Sequence, residues 1–140
     1  MRVVLDTNVL VSALLVESST PGQLVKYWRQ GRFDLITASA QLEELTQVTR
    51  YPKIRARLHP VLAGRLVNEL RDVAVIVDNL PEVDVSEDPY DNYLLALADA
   101  GRVDYLVTGD KAHLLGLKRY GGARIVSVRQ FMSLAKLPLS

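Results

Sequence analysis

Apolar and polar residues follow two rhythms along this chain: short unbroken apolar runs, and longer stretches with one apolar face. Residues 2–6 are a β-branched run ending in a polar residue, which predicts a buried strand. Residues 7–17 take helical spacing. Thr20, Pro21 and Gly22 open another helix, with Pro in the first turn; Leu24, Val25 and Trp28 share one face, and Gly31 ends it. Residues 33–37 predict a second strand. Ser39 reads as an N-cap, followed at helical spacing by Leu42, Leu45 and Val48 up to Arg50.

Tyr51 and Pro52 interrupt this pattern. A short helical piece at 53–58 and a longer helix at 60–71, with Leu62, Leu66 and Leu70 in register, come next. A third strand is expected at 73–77 and a loop at 78–88. Pro89 opens a helix through Ala100, closed by Gly101 in the C′ position. Residues 104–108 predict a fourth strand, 111–117 a short helix, 124–127 a last strand, and Arg129 begins a final helix. Strands alternating with helices imply a parallel sheet of about five strands with helices on both faces, a three-layer α/β/α arrangement. Ligands of such sheets sit beyond the carboxyl ends of the strands. Asp6 and Asp110 fall there.

Composition narrows the chemistry. With 140 residues, 49% hydrophobic and 24% charged, the chain fits one soluble domain over its whole length, 1–140. It has no Cys. A disulfide framework, a thiol nucleophile and Cys-bound zinc are therefore excluded, and a reducing cytoplasm is the expected setting. The apolar run at 9–16 is far short of a membrane span, and the N-terminus lacks a signal-peptide pattern.

The net charge of +1 is uninformative, but its distribution is not. Between residues 50 and 65 lie five bases (Arg50, Lys53, Arg55, Arg57, Arg65) and no acid; between 78 and 91 lie six acids and no base. The pair suits a metal centre beside an arm that holds phosphates.

Asp6, Glu44, Asp91 and Asp110 each have a structural explanation, as caps or exposed helix residues. In a parallel sheet, however, all four open on one edge. Only Lys111 and Arg2 lie near them in sequence, too few to neutralise four carboxylates. A divalent cation resolves the conflict, and oxygen ligands without His or Cys suit Mg²⁺ or Mn²⁺. His59 and His113 are isolated and take no metal role.

Val4-Leu5-Asp6-Thr7-Asn8-Val9, Leu42-Glu43-Glu44-Leu45, Asp88-Pro89-Tyr90-Asp91-Asn92 running to Ala98, and Leu106-Val107-Thr108-Gly109-Asp110-Lys111 together resemble the PIN-domain nucleases. The resemblance covers nearly the whole chain in the expected order. It is greatest to bacterial and archaeal members assigned as toxins of toxin–antitoxin pairs. It implies that Asp6, Glu44, Asp91 and Asp110 hold one or two Mg²⁺ or Mn²⁺ ions, supported by Thr7, Asn8 and Thr108. The family's Glu-Leu pair favours Glu44 over its neighbour Glu43. Relatives often carry an acid where this chain has Ala112, which weakens the expectation of a second metal.

The expected reaction is hydrolysis of an RNA phosphodiester by metal-bound hydroxide. Arg50, Lys53, Arg55, Arg57 and Lys111 are the candidates for holding the RNA backbone. An antitoxin partner and a homodimer follow by analogy with the family. Tyr51 and Tyr90 could stack on bases, although packing is the commoner use of an isolated tyrosine.

Three alternatives compete. An Asp-nucleophile phosphatase wants an acid where the chain has Asn8. A nucleotide-binding module wants a glycine fingerprint, which is absent. An RNA-binding or RNA-processing protein on the same fold, outside any toxin–antitoxin system, stays compatible with the motifs.

Overall fold

A computed structural model describes residues 1–109 and 114–139. Asp110, Lys111, Ala112 and His113, singled out above, lie outside the described residues. The elements run β1 (Arg2–Leu5), α1 (Thr7–Leu15), α2 (Thr20–Arg29), β2 (Asp34–Thr37), α3 (Ser39–Val48), α4 (Pro52–Arg55) and α5 (Pro60–Val73). There follow β3 (Val75–Ile76), α6 (Pro89–Ala100), β4 (Tyr105–Val107), α7 (Leu114–Leu117), β5 (Arg119–Tyr120), β6 (Ala123–Val126) and α8 (Val128–Leu134).

The sheet order is β3-β2-β1-β4-β6-β5. The first five strands in that order are parallel, as the pattern predicted. The sixth is a correction to the all-parallel expectation: β5 pairs antiparallel with β6. A two-residue polar strand carries no periodic signal, so nothing in the pattern announces it.

Strand residues alternate between two cores, as the pleat requires. Val3, Leu5, Leu35 and Val107 face one side, where α1, α2, α3, α5 and α8 cover them. Val4, Ile36, Leu106 and Ile125 face the other, against α6 and α7. The result is three layers, α/β/α. Chain order reverses at β1, whose neighbours are β2 and β4. This switch point opens a crevice at the carboxyl ends of β1 and β4.

Two cap assignments change. Ser39 is the first residue of α3, not its cap, and Ala38 in the cap position makes no side-chain hydrogen bond. The orphan N–H of Ser39 instead donates to Asp78 Oδ1 at 2.9 Å, and its hydroxyl to Asp78 Oδ2 at 2.9 Å. Gly101 caps α6 with an ordinary φ of −78°. The left-handed residue is Arg102, at φ 50°. Glycine is needed at 101 for closeness: a Cβ there would stand 2.8 Å from Ile36 Cγ2 and 2.9 Å from the Leu97 carbonyl oxygen.

Candidate active site at the carboxyl edge

Asp6 follows β1 directly and is 1% exposed. Its Oδ1 accepts the backbone N–H of Asn8 at 3.0 Å, an N-cap of α1. The same oxygen accepts the Tyr90 hydroxyl at 2.7 Å, and Oδ2 accepts the Thr108 hydroxyl at 2.8 Å. The Thr108 bond spans the switch point, joining the residue after β1 to the residue after β4. Three donors from three segments thus hold one buried carboxylate in a single orientation. Among the described residues Asp6 makes no ion pair.

Tyr90 links two parts of the edge. Besides donating to Asp6, its oxygen accepts the Thr7 backbone N–H at 3.1 Å. Burial first, and the Asp6 carboxylate second, push the phenol well above its ordinary range. It stays a neutral donor throughout the physiological range. Sequence reasoning weighed Tyr90 only as packing or base stacking. The signal that could have found it is its place beside Asp91, at the mouth of a helix aimed at β1.

Asp91 lies in the first turn of α6 and is 2% exposed. Its Oδ2 accepts the Ser86 hydroxyl at 3.0 Å. Asn92 shapes that loop: its side-chain oxygen accepts the N–H groups of Val85 and Ser86, and its amide donates to the Ser86 carbonyl. Asp88 caps α6 by accepting the Tyr90 N–H. Asp91 also lines an open cleft of about 510 Å³ with Ser86, Asp88 and Leu114.

Glu44 comes in from α3. Glu43 is exposed, whereas Glu44 is half-buried and its Oε1 is buried with no hydrogen-bond partner among the described residues. Its charge reaches the Tyr90 and Tyr93 hydroxyls and raises both, after burial as the larger cause for each.

The other predicted residues divide. Thr108 touches Asp6 through its side chain. Asn8 does so only through its backbone, with its side chain exposed. The Thr7 hydroxyl meets Gln41 Nε2 at 3.3 Å. Gln41, buried and not anticipated, also donates to the Leu5 carbonyl at 2.7 Å and accepts from the Thr37 hydroxyl at 2.6 Å, fastening α3 to β1 and β2. Arg2 sits at the opposite end of β1, bonded to Gly101 and Asp104, and does not neutralise the acids. Arg50 and Arg55 line one cavity, of which Lys53 and Arg57 are not part.

The edge therefore carries the acid side chains of Asp6, Glu44 and Asp91. Among the described residues no group of three His, Asp or Glu side chains forms a ready metal cage. The donor chemistry nevertheless fits a hard divalent ion: oxygen donors alone, one of them a buried carboxylate oxygen with no partner.

An uncharacterised protein of Methanocaldococcus jannaschii is 27% identical over 114 residues, covering 79% of this chain and 72% of that one. No solved structure matches. The PIN domain family matches residues 2–112, and the chain therefore belongs to the PIN-domain family, whose fold is of the nuclease type.

Proposed function

We propose that residues 1–140 act as one metal-dependent endoribonuclease domain. The observation that carries this reading is the unpartnered, buried Oε1 of Glu44 on the sheet edge where Asp6 and Asp91 are also buried. Leaving a buried carboxylate oxygen unpaired is costly, and a bound cation offsets that cost. Asp6, Glu44 and Asp91, with Asp110 from outside the described residues, would hold Mg²⁺ or Mn²⁺. PIN nucleases generally use divalent ions. When bound, the ion supplies an activated water and stabilises charge on the phosphorus oxygens.

The chain's own groups do the positioning. The Thr108 and Tyr90 hydroxyls fix both oxygens of Asp6. Ser86 orients Asp91. Arg50, Lys53, Arg55, Arg57 and Lys111 are proposed to hold the RNA backbone, contributing affinity without reading sequence. Attack in line with the 3′ oxygen leaves a 5′ phosphate and a 3′ hydroxyl. By analogy within the family we further propose a toxin role, an antitoxin partner, a homodimer and a cytoplasmic setting. No helix among the described residues is long and apolar enough to cross a membrane.

The test is cleavage of single-stranded and structured RNA with Mn²⁺ or Mg²⁺, with EDTA as control. Asp6→Asn is expected to lower the rate by about 10³-fold or more. Cleavage that survives EDTA, or an Asp6→Asn protein as active as wild type, would sink the mechanism. For the toxin role, growth arrest on expression must be relieved by co-expression of a neighbouring reading frame.

A further inference from the structure

A second charged feature lies on α3, α4 and α5, beyond the acids. Arg50 follows α3, Arg55 ends α4, and Arg71 lies in the last turn of α5. All three line one cavity of about 380 Å³. No Asp or Glu lines it, and none of the three makes an ion pair among the described residues. Arg71 Nη1 donates to Asn68 Oδ1 at 3.0 Å, which restrains that guanidinium at the wall. The Thr46 and Thr49 hydroxyls donate back to α3 carbonyls, leaving the arginines as the cationic donors of the cavity.

Pro60, Ala63, Gly64 and Val67 of α5 make up an apolar part of the lining. A Cβ built at Gly64 would meet nothing within 4 Å, so the space above it is open. The volume is at the lower end of small-ligand pockets, roughly 300–1,000 Å³, and exceeds what a bare ion needs. Three arginines lining one cavity, with no carboxylate among its described lining, give it a single sign of charge that favours an anion. Guanidinium forks match phosphate oxygens in geometry.

We propose that this cavity seats one nucleotide unit of a single-stranded polynucleotide, its phosphate on Arg50, Arg55 and Arg71 and its sugar over Gly64 and Val67. The polynucleotide source rests on the nuclease reading above; anion capture by the cavity does not. Arg71 lies outside the basic run at 50–65, so the cavity replaces a diffuse basic arm with a defined seat.

Binding of a fluorescein-labelled single-stranded oligoribonucleotide is measured by anisotropy in EDTA, where no cleavage interferes. Arg55→Gln and Arg71→Gln are each expected to weaken binding about tenfold and to flatten the salt dependence by about 0.7 in log–log slope. Lys53→Gln and Arg57→Gln should each weaken it less than about threefold. Gly64→Leu fills the cavity at unchanged charge and is expected to weaken binding as much as the arginine variants. Circular dichroism and urea denaturation check that Gly64→Leu is folded. Wild-type affinity in Arg71→Gln or in Gly64→Leu overturns the proposal.

Uridine 5′-monophosphate that binds as tightly as the strand would identify a free-nucleotide site instead. Displacement of the strand by polyglutamate at equal charge would identify a protein-binding patch, and either result overturns the polynucleotide seat. Asp6→Asn is assayed for cleavage only, as the separate test of the nuclease mechanism. If it cleaves like wild type, the nuclease mechanism fails while the seat stands.

Discussion

Asp6 and Glu44 stand on the same edge of the sheet, and the surrounding chain treats them in opposite ways. Asp6 receives donors from α1, α6 and the end of β4. One oxygen of Glu44 receives none among the described residues. Among the described residues, one carboxylate of the edge is thus held at both oxygens and the other is not. The first carboxylate is oriented before any ligand arrives. On the proposed reading, the second carries a cost that a bound cation would relieve.

The largest expected effect that sharpens this contrast comes from Tyr90→Phe. It removes a hydrogen bond to a charged group and leaves the Thr7 N–H without its acceptor. A loss of about 1.5–3 kcal/mol is expected in urea denaturation. Mn²⁺ affinity should fall about 10–100-fold, as for other groups that orient a metal ligand. Unchanged values for both would show that Asp6 is not held in the way described.

Glu44→Gln should move stability the other way. Without metal, removing a half-buried, unpaired charge is expected to raise stability by up to about 1 kcal/mol. The rise in melting temperature that Mn²⁺ causes in wild type should shrink or vanish in this variant. Glu43→Gln, on the exposed side, should leave both quantities unchanged. A reversed pattern would exchange the roles of the two glutamates.

The smallest effect is alkaline. Burial raises the Tyr90 and Tyr93 phenols in the folded chain, with the Asp6 and Glu44 charges adding to it. Because the raised value belongs to the folded state, this contribution is fully present below the unfolded tyrosine pKa of about 10 and lost as pH climbs above it. Phenolate absorbance should therefore show these two among the six tyrosines ionising only with unfolding, followed by circular dichroism. Difference titrations of Tyr90→Phe and Tyr93→Phe assign them.

What the sequence revealed follows from the range of each interaction. Parallel strands and their covering helices are written in local periodicity, and the Asp88 cap and first-turn Pro89 are signals within three residues. The motifs around Asp6, Asp91 and Thr108 were legible because each is contiguous. The Tyr90 bond to Asp6 joins residues 84 apart, and the Asp78 cap on Ser39 joins residues 39 apart. No local pattern announces either. Gly101 taught a subtler lesson. A glycine after a helix suggests a left-handed turn, yet the neighbouring Arg102 takes that conformation while Gly101 makes room for Ile36. Arg71 escaped for the same reason as Tyr90: it joins Arg50 and Arg55 only once α5 folds back beside α3.

The two outermost strands have a further consequence. β3 and β5 are each two residues long, and β5 turns back against its neighbour. A sheet that ends in such stubs offers a neighbouring chain almost no continuous row of free amides and carbonyls to extend. Even with Val75 and Ile76 exposed on one margin, concentrated protein should resist fibril growth. Copies that associate are expected to meet through their helices rather than through their strands.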